Sequence, residues 1–597
     1  MTDTTNIAMP IALLLGRETP SPDDRHLQAI LVFFGIPWAS LTIAQVRNGE
    51  AASLTAGHAR YSILVSAPCL AEALHREESG MLPNWLSAAA SVYIYGFYVA
   101  DDCRKLLRKL TGDRHADICG LDARPTTLSV TGSFPEMCGP MSGLRVRAEP
   151  GPEVVLSFPL GKDTSYSIVG TPKGDLFAGI PHASVPFFCD TSRTIINIHQ
   201  HSEECFDVRR SFVGAVPIVM YLKWAFRDVC WTTQETNACL VIDDPPLRSR
   251  YGFLDFQELL QLMETCKFTT TLAFIPWNWK RTDRRTVLAF LQHREALSVC
   301  VHGCDHTSRE FAARSRDLLE KKLKVAKHRM RSLLERTGLN HDQVMVFPQG
   351  VFSPETAPAL KSNGFVAALN TEVDSAGPEL SEVEIADLWS VAVLRYGMFP
   401  IFTRRYISHG IENFAFDGLL GKPCFIVGHH ELFRDHGREL SMFVRALNSL
   451  HWKLSWRTLE DAISHTYSIQ HRGGEVKMRM CAQRLIVENL EENAMQVVVF
   501  KEEEDTSAVA NIQVNQQPIE FGCEDGVLQF VVDIPARSHA VIHCTYHDSV
   551  KSVTASDPLS YKIKVAARRY LCEIRDDFTY RGAVLRRATM VSKFLRK

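Results

Sequence analysis

Residues 238–246 read ACLVIDDPP, residues 297–307 read LSVCVHGCDHT and residues 423–433 read PCFIVGHHELF. Each is a short apolar run that stops at residues able to bind metal or carry a proton, which is how a strand delivers side chains to one end of a sheet. Around and between them, from about Cys239 to Tyr467, further apolar runs alternate with amphipathic stretches: FQELLQLMETC, FTTTLAFI, RTVLAFLQH, a long charged segment from Glu310 to Arg336, VMVF, FVAALN and ELSMFVRALNSL. Strand and helix alternating over so long a span predict a parallel sheet with helical crossovers, closed or partly closed into a barrel, with its site in the loops after the strands.

Asp243 and Asp244 end the first run and precede two prolines. Adjacent carboxylates can divide labour, one binding a metal and the other holding or taking a proton. His302 and His306 stand at HxxxH spacing, so both imidazoles can face one point if the chain turns there. Two histidines and an aspartate make a three-ligand open site suited to a divalent ion, zinc first, with a position left for water. The third run ends in His429 and His430, either of which can act as a general acid toward a leaving amine. Each motif alone has a plainer reading as a turn, a cap or a core pair. Cys304 would point away if the two histidines converge.

Together these segments resemble the polysaccharide deacetylase family, also described as NodB-homology or carbohydrate esterase family four, over about 230 residues. A TFDDG-like motif there reads VIDDP here, the HxxxH motif reads HGCDH, and the late strand ending in a catalytic histidine reads IVGHH. The resemblance implies a distorted (β/α)7 barrel with Asp243 as general base, Asp244, His302 and His306 as metal ligands, and His429 or His430 as the late acid. It also implies a metal-dependent hydrolase that removes an N-acyl group from an amino sugar in a glycan or glycan precursor. VFPQG at 346–350 resembles the third motif and keeps Pro348 and Gly350 as substrate-side residues, but Val346 stands where an arginine that orients the catalytic aspartate is expected. Pro245 replaces the glycine after the aspartates, and the DxxDW-like groove motif has no clear counterpart beyond the region of Asn370 and Asp374. A non-catalytic carbohydrate-binding or scaffold protein on the same barrel is the alternative that the missing arginine suggests. A glycoside hydrolase is disfavoured, because adjacent aspartates do not flank a glycosidic bond.

Around this core, Trp277 and Trp279 in FIPWNWKRT offer indole faces for a sugar ring. Arg404 and Arg405, after MFPIFT, are candidates for anionic groups of a substrate. Residues 1–118 read as an α/β layered domain, 119–200 as a β-rich subdomain, 230–469 as the barrel, 470–560 as a β-sandwich and 561–597 as a basic helical tail. The tail carries eleven Lys or Arg against three acidic residues, a local +8, with Val584, Leu585, Ala588, Val591, Phe594 and Leu595 on one helical face. It is expected to dock on its own protein, with an anionic membrane surface or a partner as the other reading.

Across 597 residues, 66 basic and 68 acidic side chains nearly cancel, so no global field directs the chain to nucleic acid. No apolar stretch reaches the roughly 18 residues a membrane span needs, and the first twenty residues lack the pattern of a secretory signal. Sixteen cysteines scattered without CxxC pairs read as reduced thiols. The expected location is cytoplasmic.

Overall fold

The strand Thr236–Asp243, TNACLVID, is buried along its whole length, as a strand covered on both faces must be. It is the centre of the structure, a computed structural model that describes residues 10–48, 50, 60–75, 82–122, 124–159, 165–182, 184–202, 205–373, 383–547 and 558–594, and the side chains of its last helix as far as Tyr580, Thr579 aside. Asp374 and the apolar row from Val584 to Leu595 therefore lie outside the described residues or side chains.

Parallel neighbours extend the sheet in the order Ile401–Thr403, Ala367–Asn370, Asp342–Val346, Leu297–His302, Thr270–Phe274, Thr236–Asp243, Cys424–Gly428 and Arg405–Tyr406. The two outermost strands are consecutive in sequence and meet at Arg404, so the sheet all but closes on itself there. Taken as one strand broken at Arg404, they complete a distorted (β/α)7 barrel. Its interior is a cluster that includes Cys239, Val241, Cys300, Val344, Val346, Leu369 and Phe402, while Leu240, Ile242, Val299 and Val301 face the helices. Side chains alternate along a strand. Continuing the inward set by one step places Asp243 after Val241 and His302 after Cys300, at the top of the barrel interior.

The stretches 1–118 and 119–200 are joined in one eleven-stranded sheet, not separated into two units. Phe187–Asp190 lies parallel to Ser91–Tyr95, with Phe187 opposite Val92 and Cys189 opposite Ile94, and this pairing links the parallel part to the antiparallel strands beyond. The β-rich pattern of 119–200 is a local signal, whereas the pairing that unites the two stretches spans about ninety residues of sequence. The helix Val208–Ala225 buries Phe212, Tyr221 and Leu222 in the same apolar cluster as the outer layer of the barrel, and so fastens this sheet to it.

After the barrel come a five-stranded and a four-stranded sheet whose inner residues, Met478, Val497, Val499, Leu528, Phe530 and Ile542 among them, share one core. The Val527–Ile534 strand alternates buried and exposed positions, as one layer of a sandwich does. The last helix, Leu559–Phe594, returns to the barrel. No helix among the described residues is long and apolar enough to cross a membrane.

Candidate active site

Asp243 is 4% exposed and grips the guanidinium of Arg404 with both oxygens, each at 2.7 Å. Burial is the largest single influence and would raise its pKa, but the Arg404 charge and hydrogen bonds, with His302 and His429, together outweigh it and hold it down to about 2. The folded-state pKa thus lies below the usual value of about 3.9, so this pair stabilises the fold at neutral pH and loses that contribution as pH falls toward 2. Val346 does stand where an arginine was expected, and the charge comes instead from the far edge of the barrel sheet. Arg404 was legible only as a basic residue after a strand, because which face it takes depends on where the barrel closes.

The next residue, Asp244, turns the chain out of the strand with φ 82°. Its Oδ1 lies 3.1 Å from His306 Nε2 and 3.7 Å from His302 Nε2, and the two imidazole centroids are 4.8 Å apart. His302 Nδ1 lies 3.0 Å from the Val346 carbonyl, so an N–H there donates to the carbonyl and leaves Nε2 with its lone pair toward Asp244. Burial pushes the His306 pKa down, which keeps that ring neutral and able to ligate. Asp244 Oδ1 and His306 Nδ1 are buried without a hydrogen-bond partner in the described structure. Two imidazoles and a carboxylate whose Oδ1 is orphaned, with one ligand atom from each of the three residues lying within 4.8 Å of the others, fit a divalent cation.

Glu310 was missed by the sequence reading, although it shapes this loop. Its buried carboxylate accepts the backbone N–H groups of Cys304 at 3.1 Å, Asp305 at 2.9 Å and His306 at 3.0 Å, and so holds His306 at φ 55°. Gly303, at φ 65°, has no room for a Cβ, which would sit 2.3 Å from Pro348 Cγ. Pro348 therefore braces the histidine loop from below, and Gly350 accepts from Asn370 Nδ2 at 2.8 Å. Cys304, Asp305 and Glu310 also converge, but Arg329, Lys322 and the three backbone donors already engage them.

The two late histidines separate. His429 is partly exposed and stacks on Tyr406 with centroids 6.4 Å apart. Tyr406 follows by two residues the Arg404 that clamps Asp243, which puts His429 on the same side of the barrel mouth. His430 is buried against Tyr251 and Phe253, and its Nε2 lies 3.8 Å from Asp576 of the last helix. Gly252, at φ 54°, passes so close that an added Cβ would lie 2.5 Å from His430 Nδ1. Gly252→Ala is expected to cost about 1 to 3 kcal/mol, read as a lowered denaturant midpoint. An unchanged midpoint would show that this loop is not packed as described.

Arg405, expected at the substrate, is 6% exposed and donates to Asp417 at 2.6 and 3.0 Å and to the Phe206 carbonyl at 2.9 Å. Its Nε and Nη2 donors are held by the protein, which corrects that expectation: Arg404 and Arg405 point to opposite faces of the sheet and find different carboxylates. Trp279 packs against the outer core. Trp277 lies at the mouth, next to Arg281, with its backbone N–H on the Cys304 carbonyl at 3.1 Å.

No family model and no curated protein matches the chain. Solved structures similar to it include Agd3, described as a novel carbohydrate deacetylase, at 9% identity and TM-score 0.42 over 90% of this chain and 98% of that one. A family 4 carbohydrate esterase from Streptomyces lividans, in complex with acetate, is 12% identical with TM-score 0.22 over 36% of this chain and 87% of that one. A family 4 acetyl xylan esterase from Clostridium thermocellum, in complex with a cobalt ion, is 10% identical with TM-score 0.24 over 38% and 90%. These solved structures belong to the carbohydrate deacetylases and family 4 esterases, the group that the VIDDP, HGCDH and IVGHH motifs of this chain resemble.

Proposed function

We propose that the chain is a metal-dependent hydrolase that removes an N-acyl group, acetyl in the simplest case, from an amino sugar in a glycan or glycan precursor. The observation that carries this reading is the Asp243 carboxylate, buried and clamped by Arg404, one residue before an aspartate that converges with two histidines. Asp244, His302 and His306 would hold the ion, and a bound divalent ion such as zinc supplies Lewis acidity to the acyl carbonyl and to water.

The remaining work falls to the protein. Asp243 stays ionised and fixed in orientation, so it can take the proton of the attacking water as the new C–O bond forms. His429 donates a proton to the sugar nitrogen as the C–N bond breaks, leaving a free amine and a carboxylate. Trp277 offers an indole face at the mouth for a pyranose ring. All sixteen cysteines are unpaired, which supports work in a reducing compartment such as the cytoplasm.

The alternative of a binding or scaffold protein drew on the arginine absent from VFPQG. Arg404 supplies an equivalent charge to Asp243, so that ground for lost turnover falls away. The test is release of acetate from a panel of N-acetylated hexosamines and their oligomers. Release should require a divalent metal, stop on addition of EDTA and return on addition of excess zinc. Metal-loaded protein that binds these sugars but frees no acetate would favour the binding protein.

A further inference from the structure

The described side chains of the helix Leu559–Phe594 lie across the mouth of the barrel. Tyr561, Val565, Arg569, Glu573, Asp576 and Tyr580 recur every three or four residues, so they occupy one face. That face meets the loops that follow Asp244, Phe274, His302 and Gly428. Tyr561 donates to Asp305 at 3.0 Å in the histidine loop. Glu573 takes Arg281 with both oxygens, at 2.5 and 2.6 Å, in the loop that carries Trp277, and Tyr570 meets Trp277 edge-on at 6.0 Å. Asp576 bonds the Tyr251 hydroxyl and lies beside His430. Tyr580 accepts from Arg250 at 2.9 Å.

Between these contacts, Arg569 is 2% exposed, with no hydrogen-bond partner at Nε. Arg281 and Trp277, which a sugar would meet first, are already engaged. The docked face is mostly polar, with Val565 its one buried aliphatic side chain among those described, while Ile563, Leu571, Ile574 and Phe578 on the outer side stand 60 to 75% exposed. A polar, ion-paired contact of this kind is built to separate, unlike a core helix.

We propose that this helix is an autoinhibitory cover: docked, it fills the substrate approach, and its release opens the site. The inhibitory part rests on the hydrolase reading above, but the covering part does not.

The test uses the full chain and a Glu573→Arg, Asp576→Arg variant, which turns the Glu573 pairs with Arg281 and Arg248 into repulsions and removes the acceptor of the Tyr251 hydroxyl, without touching the barrel. A Val565→Glu variant guards against failure of the first to fold, and circular dichroism checks both. Carbethoxylation of His306 and His429 by diethyl pyrocarbonate, mapped by mass spectrometry, reads access directly. It should run about tenfold faster or more in the variants, the change that follows from removing roughly 1.4 kcal/mol of closing free energy. Acetate release should rise in parallel. Equal carbethoxylation rates in folded variant and wild type would overturn the cover whatever the activity. Faster carbethoxylation with lower acetate release would overturn autoinhibition and make the helix part of the working site. Faster carbethoxylation with no acetate from any form would leave the cover standing and sink the hydrolase reading alone.

Discussion

Replacing Arg404 with methionine is expected to destabilise the protein by about 3 to 5 kcal/mol, because it leaves a buried carboxylate without its counter-charge. Asp243 is surrounded by barrel interior on one side and by the histidine loop on the other, so water cannot readily replace the guanidinium. The measurement is the denaturant midpoint of the single variant, compared with Asp243→Asn and with the two changes combined. The double variant should recover much of the loss, since a neutral amide beside a methionine has no unpaired charge to bury. With Arg404 gone, burial is left as the largest influence on Asp243 and raises its pKa above the unfolded value, so the single variant should regain part of its lost stability as pH falls, the opposite of wild type. A single variant within about 0.5 kcal/mol of wild type would mean that the pair does not form in solution.

Asp243→Asn is expected to lower acetate release by about 10²- to 10⁴-fold, the usual contribution of a positioned general base. The substitution keeps size and shape while removing the group that accepts the proton. Metal binding should survive, because Asp244, His302 and His306 form the ligand set and Asp243 points to Arg404 instead. A drop in activity together with metal loss would move Asp243 into the ligand set. Unchanged turnover at full metal content would remove it as the base.

Much of this site was legible before any coordinates, for a definite physical reason. Strand periodicity fixes which residues leave the C-terminal end of a barrel strand, so Asp243, Asp244, His302 and the late histidines were located by local pattern alone. What stayed hidden depends on closure and distant pairing. Arg404 reaches Asp243 because the sheet's two edges meet, and nothing local distinguishes it from Arg405, one residue on, which turns to Asp417. The choice between His429 and His430 was open for the same reason: Tyr251, Phe253 and Asp576, all distant in sequence, enclose His430. Glu310 resembled any acidic residue at the start of a charged segment until its carboxylate was seen to collect three backbone N–H groups. The fusion of residues 11–190 into one sheet follows from a parallel pair far apart in sequence, which composition cannot report.

The claim on which the rest depends is that Asp244, His302 and His306 form a metal site. Its most direct test is the metal content, by elemental analysis, of the purified full chain and of a His302→Ala, His306→Ala variant, both incubated with zinc and freed of excess. The account predicts about one divalent ion per chain in the wild type, and none above background in a variant whose far-ultraviolet circular dichroism is unchanged. The same low content in both proteins, or an ion retained without the two histidines, would contradict it.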